Sequence, residues 1–127
     1  MGKTISEKIL SAHAGYAVKA NDIAVVDVDL AYVQDGTGPL TVRQFKTMGF
    51  TAVPNASRRM IYLDHASPSP RRELSNDHKF LRDFARETGV ILSEIGWGIS
   101  HVVALEKYVN PGDVVVSIVT PESEKEL

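Results

Sequence analysis

No cysteine occurs anywhere in the 127 residues. Disulfides, thiolate nucleophiles, cysteine-ligated zinc and cysteine-ligated iron–sulfur clusters are thereby excluded from this chain. Long hydrophobic runs are also lacking: the longest apolar stretch, Val114 to Val119, falls far short of the roughly 20 residues that a membrane span requires. Neither sign of charge dominates, because 14 Lys and Arg stand against 16 Asp and Glu for a formal net charge of -2, and the two signs are interspersed. Nothing in that balance recruits nucleic acid or an anionic membrane. The start, Met1-Gly2-Lys3-Thr4, has no apolar core of a signal peptide, so a cytoplasmic location is the expectation.

What is present is ordinary globular material, with 43% apolar and 24% charged residues in a length that suits one domain with a single core. Thr4-Ile5-Ser6-Glu7 reads as a capping box opening a helix near residues 5–13, which Gly15 ends. The alternation from Ile23 through Asp27 and Asp29 to Leu30 predicts a strand. Asp35-Gly36-Thr37-Gly38 predicts a turn, and Pro39 suits the first position of a helix that runs to about Met48 and stops at Gly49. Arg59 to Leu63 predicts a second strand, followed by a Pro-broken loop over residues 66–70. Ser75 or Asn76 is the expected cap of a further helix with Phe80, Leu81, Phe84 and Ala85 on its apolar stripe, closed by Gly89. Val90 to Leu92, a helix from His101 to about Tyr108, and Val114 to Val119 complete the series. Strands alternating with helices imply an α/β fold, a mostly parallel sheet covered on its faces by helices. The domain is expected over residues 1–120, with 121–127 as a polar tail. A final strand with nothing after it leaves an edge or face to be covered by self-association or a partner.

Parallel strands bring their following loops to one edge of the sheet, where α/β proteins keep their ligands. Three such loops carry polar residues: Gln34-Asp35-Gly36-Thr37, the pair Asp64-His65, and the Gly96-Trp97-Gly98 approach to His101. Imidazoles and a carboxylate converging there suit proton transfer to a hydroxyl leaving group, and a Gln amide suits a carboxylate or carbonyl oxygen. Asp27 and Asp29 read as solvent-exposed residues on one strand face, and His13 and His78 as surface residues without a role. Arg58-Arg59 and Arg71-Arg72 read as scattered surface charge. Gly96-Trp97-Gly98 is no dinucleotide fingerprint, because the third glycine and the later acidic residue are missing.

Taken in order, Val33-Gln34-Asp35-Gly36-Thr37-Gly38-Pro39, Leu63-Asp64-His65 with Asn76-Asp77-His78-Lys79, Gly98-Ile99-Ser100-His101 and Asn110-Pro111-Gly112-Asp113 resemble the N-terminal part of the aconitase / 3-isopropylmalate dehydratase large subunit family. The likeness runs from about Thr4 to Val116, and the ordered series is far more specific than any single motif. It implies a three-layer α/β/α domain, one of several packed around a four-iron four-sulfur cluster. The implied reaction is dehydration and rehydration of a hydroxy di- or tricarboxylate, as in leucine biosynthesis. By position the resemblance assigns Asp64, His65 and His101 to catalysis, and Gln34, Asp35 and Thr37 to substrate binding. The implied partners are the remaining large-subunit domains and a small subunit.

Departures from the family pattern shape the expectation. The strand at Val114 to Val116 leads in the family to a Gly-x-Asp-Ser-His-Thr motif, whereas this chain continues Ser117-Ile118-Val119-Thr120-Pro121. Ser100 stands where relatives often carry cysteine, and Val102 where they often carry glutamine. The leading reading is an N-terminal segment of such a hydro-lyase subunit, without a cofactor of its own and inactive alone. A second is a non-catalytic organic-acid-binding or partner-docking module. A third is a metal-dependent hydrolase with Asp64, His65 and His101 as ligands.

Overall fold

A computed structural model of the chain describes residues 2–118. The elements in order are α1 (Ile5–Ala14), β1 (Leu30–Gln34), α2 (Gly38–Thr47), a 3-10 turn (Ala56–Arg58) leading into β2 (Arg59–Tyr62), α3 (Arg72–Thr88), β3 (Ile91–Ser93), α4 (Ser100–Lys107) and β4 (Val115–Ile118). The four strands form one sheet in the order β3-β2-β1-β4, and every neighbouring pair is parallel. Residues 119–127, which include the expected polar tail and the end of the expected last strand, lie outside the described residues.

Side chains of a strand alternate between its two faces, and here the alternation builds two cores. Ile61 and Leu63 pack with Val42 of α2 and Leu81, Phe84 and Ala85 of α3. Met60 and Tyr62, one residue out of phase, pack with Leu30 and with Val103 and Ala104 of α4. Helices α2 and α3 therefore cover one face and α4 the other, which makes the three layers of the expected α/β/α fold. Gly38 permits the close seating of α2, because a Cβ there would lie 3.1 Å from Leu81 Cδ2 and 3.3 Å from Val33 Cγ2.

Local chemistry explains most boundaries. Helix α1 opens on the complete capping box, with Thr4 Oγ1 accepting from the Glu7 amide and the Glu7 carboxylate accepting from the Thr4 amide, and it ends on left-handed Gly15. Pro39 sits in the first turn of α2, where no amide is needed.

Three expectations are corrected. The alternating run from Ile23 to Val28 joins no strand ladder among the described residues, with Ile23 97% exposed, and the strand begins only at Leu30. Period-two hydrophobicity does not make a strand unless a neighbour accepts its backbone, and β4 pairs with residues 30–33 alone. Helix α3 starts at Arg72 with Arg71 at its N-cap position, so Ser75 and Asn76 lie within it rather than capping it. Arg58 and Asp29 are not free surface charges. The Arg58 guanidinium donates to the Asp29 carbonyl at 3.1 Å, the Tyr108 carbonyl at 2.8 Å and the Asp113 carboxylate at 2.9 Å.

Asp29 accepts from the Val114 amide at 2.7 Å and pairs with His13 Nε2 at 2.6 Å, joining α1 to the sheet. The Ile9 carbonyl and then Asp29 hold the His13 pKa above its ordinary 6.5, while the Val114 amide and then His13 hold Asp29 below its ordinary 3.8.

Arg58→Met is expected to lower stability by about 2 kcal/mol, since three acceptors lose a charged donor; the shift of the urea midpoint at constant m-value checks it. The His13 contribution is complete below pH 6.5 and lost as pH rises through the raised value. The Asp29 contribution is complete above pH 3.8 and lost as pH falls through the lowered one. The urea midpoint is therefore expected to decline above pH 6.5, and His13→Gln to flatten that decline.

Candidate functional site

The all-parallel order places the ends of β1, β2 and β3 along one edge, so that the loops at residues 35–37, 63–71 and 94–99 meet. Asp64 follows β2 with its side chain only 3% exposed. Its Oδ1 faces His65 Nδ1 at 2.9 Å, and its Oδ2 accepts the Ser100 amide at 2.6 Å, the first residue of α4. Burial pushes the Asp64 carboxyl up, but the bonds from His65 and Ser100 outweigh it and hold the pKa below the ordinary 3.8. His65 Nε2 in turn meets His101 Nε2 at 3.2 Å, with the rings edge to face at 88°. Both imidazoles are open to solvent.

This chain of contacts fixes the protons. An ionised carboxylate only accepts, so His65 carries hydrogen on Nδ1 and, when neutral, presents a bare Nε2. The bond between the two Nε2 atoms then requires the proton to come from His101. The arrangement is an exposed imidazole pair that shares one proton over a buried anion. Position 98 must be small, because Gly98 has φ +115° and a Cβ there would sit 2.7 Å from Val103 Cγ2 of α4.

The other expected site residues surround this pair differently. Asp35 is buried, and its carboxylate accepts from the backbone amides of His65 at 3.1 Å and Ala66 at 2.9 Å. It thus grips the loop beneath the imidazoles from inside. Gln34 is buried at the end of β1 with Oε1 accepting the Gly36 amide at 3.1 Å, which leaves its Nε2 as the donating group. Thr37 Oγ1 donates to the Ile118 carbonyl at 3.1 Å, tying the start of α2 to β4.

Two participants escape a sequence reading. Ser100 acts through its backbone amide, which no side-chain pattern advertises. His78, expected at the surface, is 2% exposed and bonds Asp35 Oδ2 at 2.9 Å. Its signal was helical phase: Leu74, His78, Leu81 and Ala85 recur at one face of α3, so His78 lies on the buried stripe.

The metal-ligand reading fits poorly. Asp35, Asp64 and His65 offer atoms within 4.8 Å of one another, yet the oxygens of both carboxylates already accept hydrogen bonds from within the fold. Iron–sulfur clusters are held chiefly by thiolates, and this chain has no cysteine, so the residues present do not fit a cluster as ligands. No helix of the described residues is long and apolar enough to cross a membrane.

A parallel three-layer α/β domain with an imidazole pair at its strand ends defines the class of protein. Residues 7–118 match the model of the aconitase family (aconitate hydratase), and the chain belongs to that family. It is 56% identical over 116 residues to a 3-isopropylmalate dehydratase large subunit of Elusimicrobium minutum. It is 51% identical over 115 residues to 3-isopropylmalate dehydratase large subunit 1 of Thermotoga maritima, and 49% over 116 residues to large subunit 2 of Archaeoglobus fulgidus. Each match takes in 91% of this chain but only 27–28% of the relative. The chain thus spans less than a third of the curated relatives it matches.

Asp64→Asn is expected to cost about 1–3 kcal/mol near neutral pH, by replacing a buried anionic acceptor of two bonds. Because the carboxyl pKa is lowered, the Asp64 contribution is complete above pH 3.8 and fades as pH falls through the folded value, so the gap to the variant should close on acidification. Urea titrations across that range check it. Imidazole nitrogen NMR of the same variant should show His65 losing its single Nδ1–H tautomer.

Proposed function

We propose that this chain is the N-terminal segment of a 3-isopropylmalate dehydratase-like hydro-lyase large subunit and contributes the proton-handling corner of a hydroxy-acid site. The Asp64–His65–His101 chain carries the reading, since it puts one shared proton at a solvent-facing position on a strand-end edge. In dehydration of a hydroxy acid the carbon–oxygen bond breaks, the hydroxyl leaves as water after taking a proton, and a neighbouring carbon gives its proton to a base. A substrate hydroxyl that takes the place of His101 beside His65 Nε2 receives a proton from the His65 imidazolium, which returns to the neutral Nδ1–H form and leaves the hydroxyl to depart as water. Asp64 stabilises the imidazolium that precedes this transfer and keeps His65 in one tautomer. Gln34 Nε2, its oxygen already engaged by Gly36, is suited to a substrate carboxylate.

Expelling hydroxide also needs charge stabilisation, which full-length members of the family draw from an iron–sulfur cluster. With no thiolate here, that part of the site comes from the rest of a large subunit, and a small subunit completes the assembly. The run Ile95, Trp97, Ile99, Val102 and Leu105 is exposed and apolar around His101, and it suits burial against those missing parts rather than free solvent. On this reading the chain alone turns over no hydroxy dicarboxylate.

A chimera tests the proposal: residues 5–118 replace the corresponding part of the Thermotoga maritima large subunit, which is then assembled and assayed for dehydration of isopropylmalate. Activity is expected, with His65→Gln and His101→Gln each lowering kcat by roughly 10²–10⁴-fold. A folded, cluster-loaded chimera without turnover, or one indifferent to both substitutions, would refute it.

A further inference from the structure

We propose that the buried Asp35–His78 pair is a device that positions the imidazole pair, which makes His78 a positioning residue for His65. The inference rests on the reading of His65 and His101 as the working groups, and it adds a residue on a different element that touches neither.

The pair is costly by placement. Asp35 is 1% exposed and His78 2%, and a carboxylate and an imidazole are seldom buried together without a task. An apolar replacement of similar volume is often neutral or stabilising for a buried polar pair, so stability alone gives no reason for it. The bonds supply the reason. Asp35 Oδ1 takes the His65 amide, while Oδ2 takes both the Ala66 amide and His78 Nε2 at 2.9 Å. Two consecutive amides of the turn that carries His65 thus converge on one carboxylate, and His78 fixes the plane of that carboxylate from the far side.

His78 is itself held firmly. It rides on α3, whose Leu81, Phe84 and Ala85 pack against Ile61 and Leu63, the residues leading directly to Asp64. The Asp35 loop, the His65 turn and α3 are therefore tied at one buried point. The His65 ring, by contrast, is 34% exposed and is bonded only to Asp64 and His101 among the described residues. With so little around the ring, its position follows its backbone, and its backbone follows Asp35. Loss of the His78 donor frees the carboxylate to turn and loosens residues 65 and 66.

The test is nitrogen NMR of the imidazoles together with amide exchange, on this chain and two variants. In the unaltered chain a slowly exchanging His78 Nε2–H and a single Nδ1–H tautomer at His65 are expected. In His78→Leu the His65 signature should become mixed, and the His65 and Ala66 amides should exchange at least about tenfold faster while those of Val33 and Ile61 in the sheet stay protected. His78→Gln, whose amide reaches Asp35 with an N–H, should restore both. Unchanged ring signals and amides in folded His78→Leu would overturn the inference, as would a folded Gln variant that fails to rescue. If the Leu variant does not fold, a His78 ring proton exchanging as fast as those of His65 and His101 in the unaltered chain overturns it. Should the ring signature move while turnover of the chimera does not, the functional reading fails and the positioning role stands.

Discussion

Parallel pairing of β1 with β2, in a register that sets Gln34 beside Tyr62, is the constraint on which the rest depends. Because both strands run the same way, the residues just after them, Asp35 and Asp64, emerge at one edge and close enough to share a loop. An antiparallel arrangement would send one of them to the opposite end. Strand β3 adds its following loop and α4 to the same edge. The site is thus a product of strand direction before it is a product of any side chain.

Negative charge is handled at two depths on that edge. Asp35 lies inside, satisfied by two amides and an imidazole, and it acts on backbone. Asp64 lies just above, satisfied by one amide and one imidazole, and it acts on a ring that reaches solvent. Each carboxylate has enough donors to tolerate burial. The inner one sets where His65 is, and the outer one sets which of its nitrogens is bare.

Much of this was legible in the sequence. The capping box at Thr4, Pro39 in a first helical turn, and the left-handed glycines at 15 and 89 are local rules, and local rules hold where nothing distant competes. The alternation of elements puts Asp64 and His65 just past a strand, and His101 at the start of the helix that follows the next one, on the same edge. What was hidden depended on partners far along the chain. Residues 23–28 find no neighbouring strand among the described residues, and whether Arg58 is a surface charge is decided by Asp113, 55 residues later. His78 is hidden differently: its place on an apolar helical stripe is legible, but the partner that makes its burial tolerable, Asp35, lies 43 residues earlier.

The apolar run around His101 has a consequence for the medium in which the imidazole pair works. Trp97, Ile99, Val102 and Leu105 are exposed in this segment, and any surface laid against them displaces water from the rim of the two rings. Coulomb interactions strengthen as the local dielectric falls. The hydrogen bond between His65 Nδ1 and the Asp64 carboxylate would then be electrostatically stronger than in open solvent, with no atom of this domain having moved. Assembly, on that account, acts on the pair as a change of solvent.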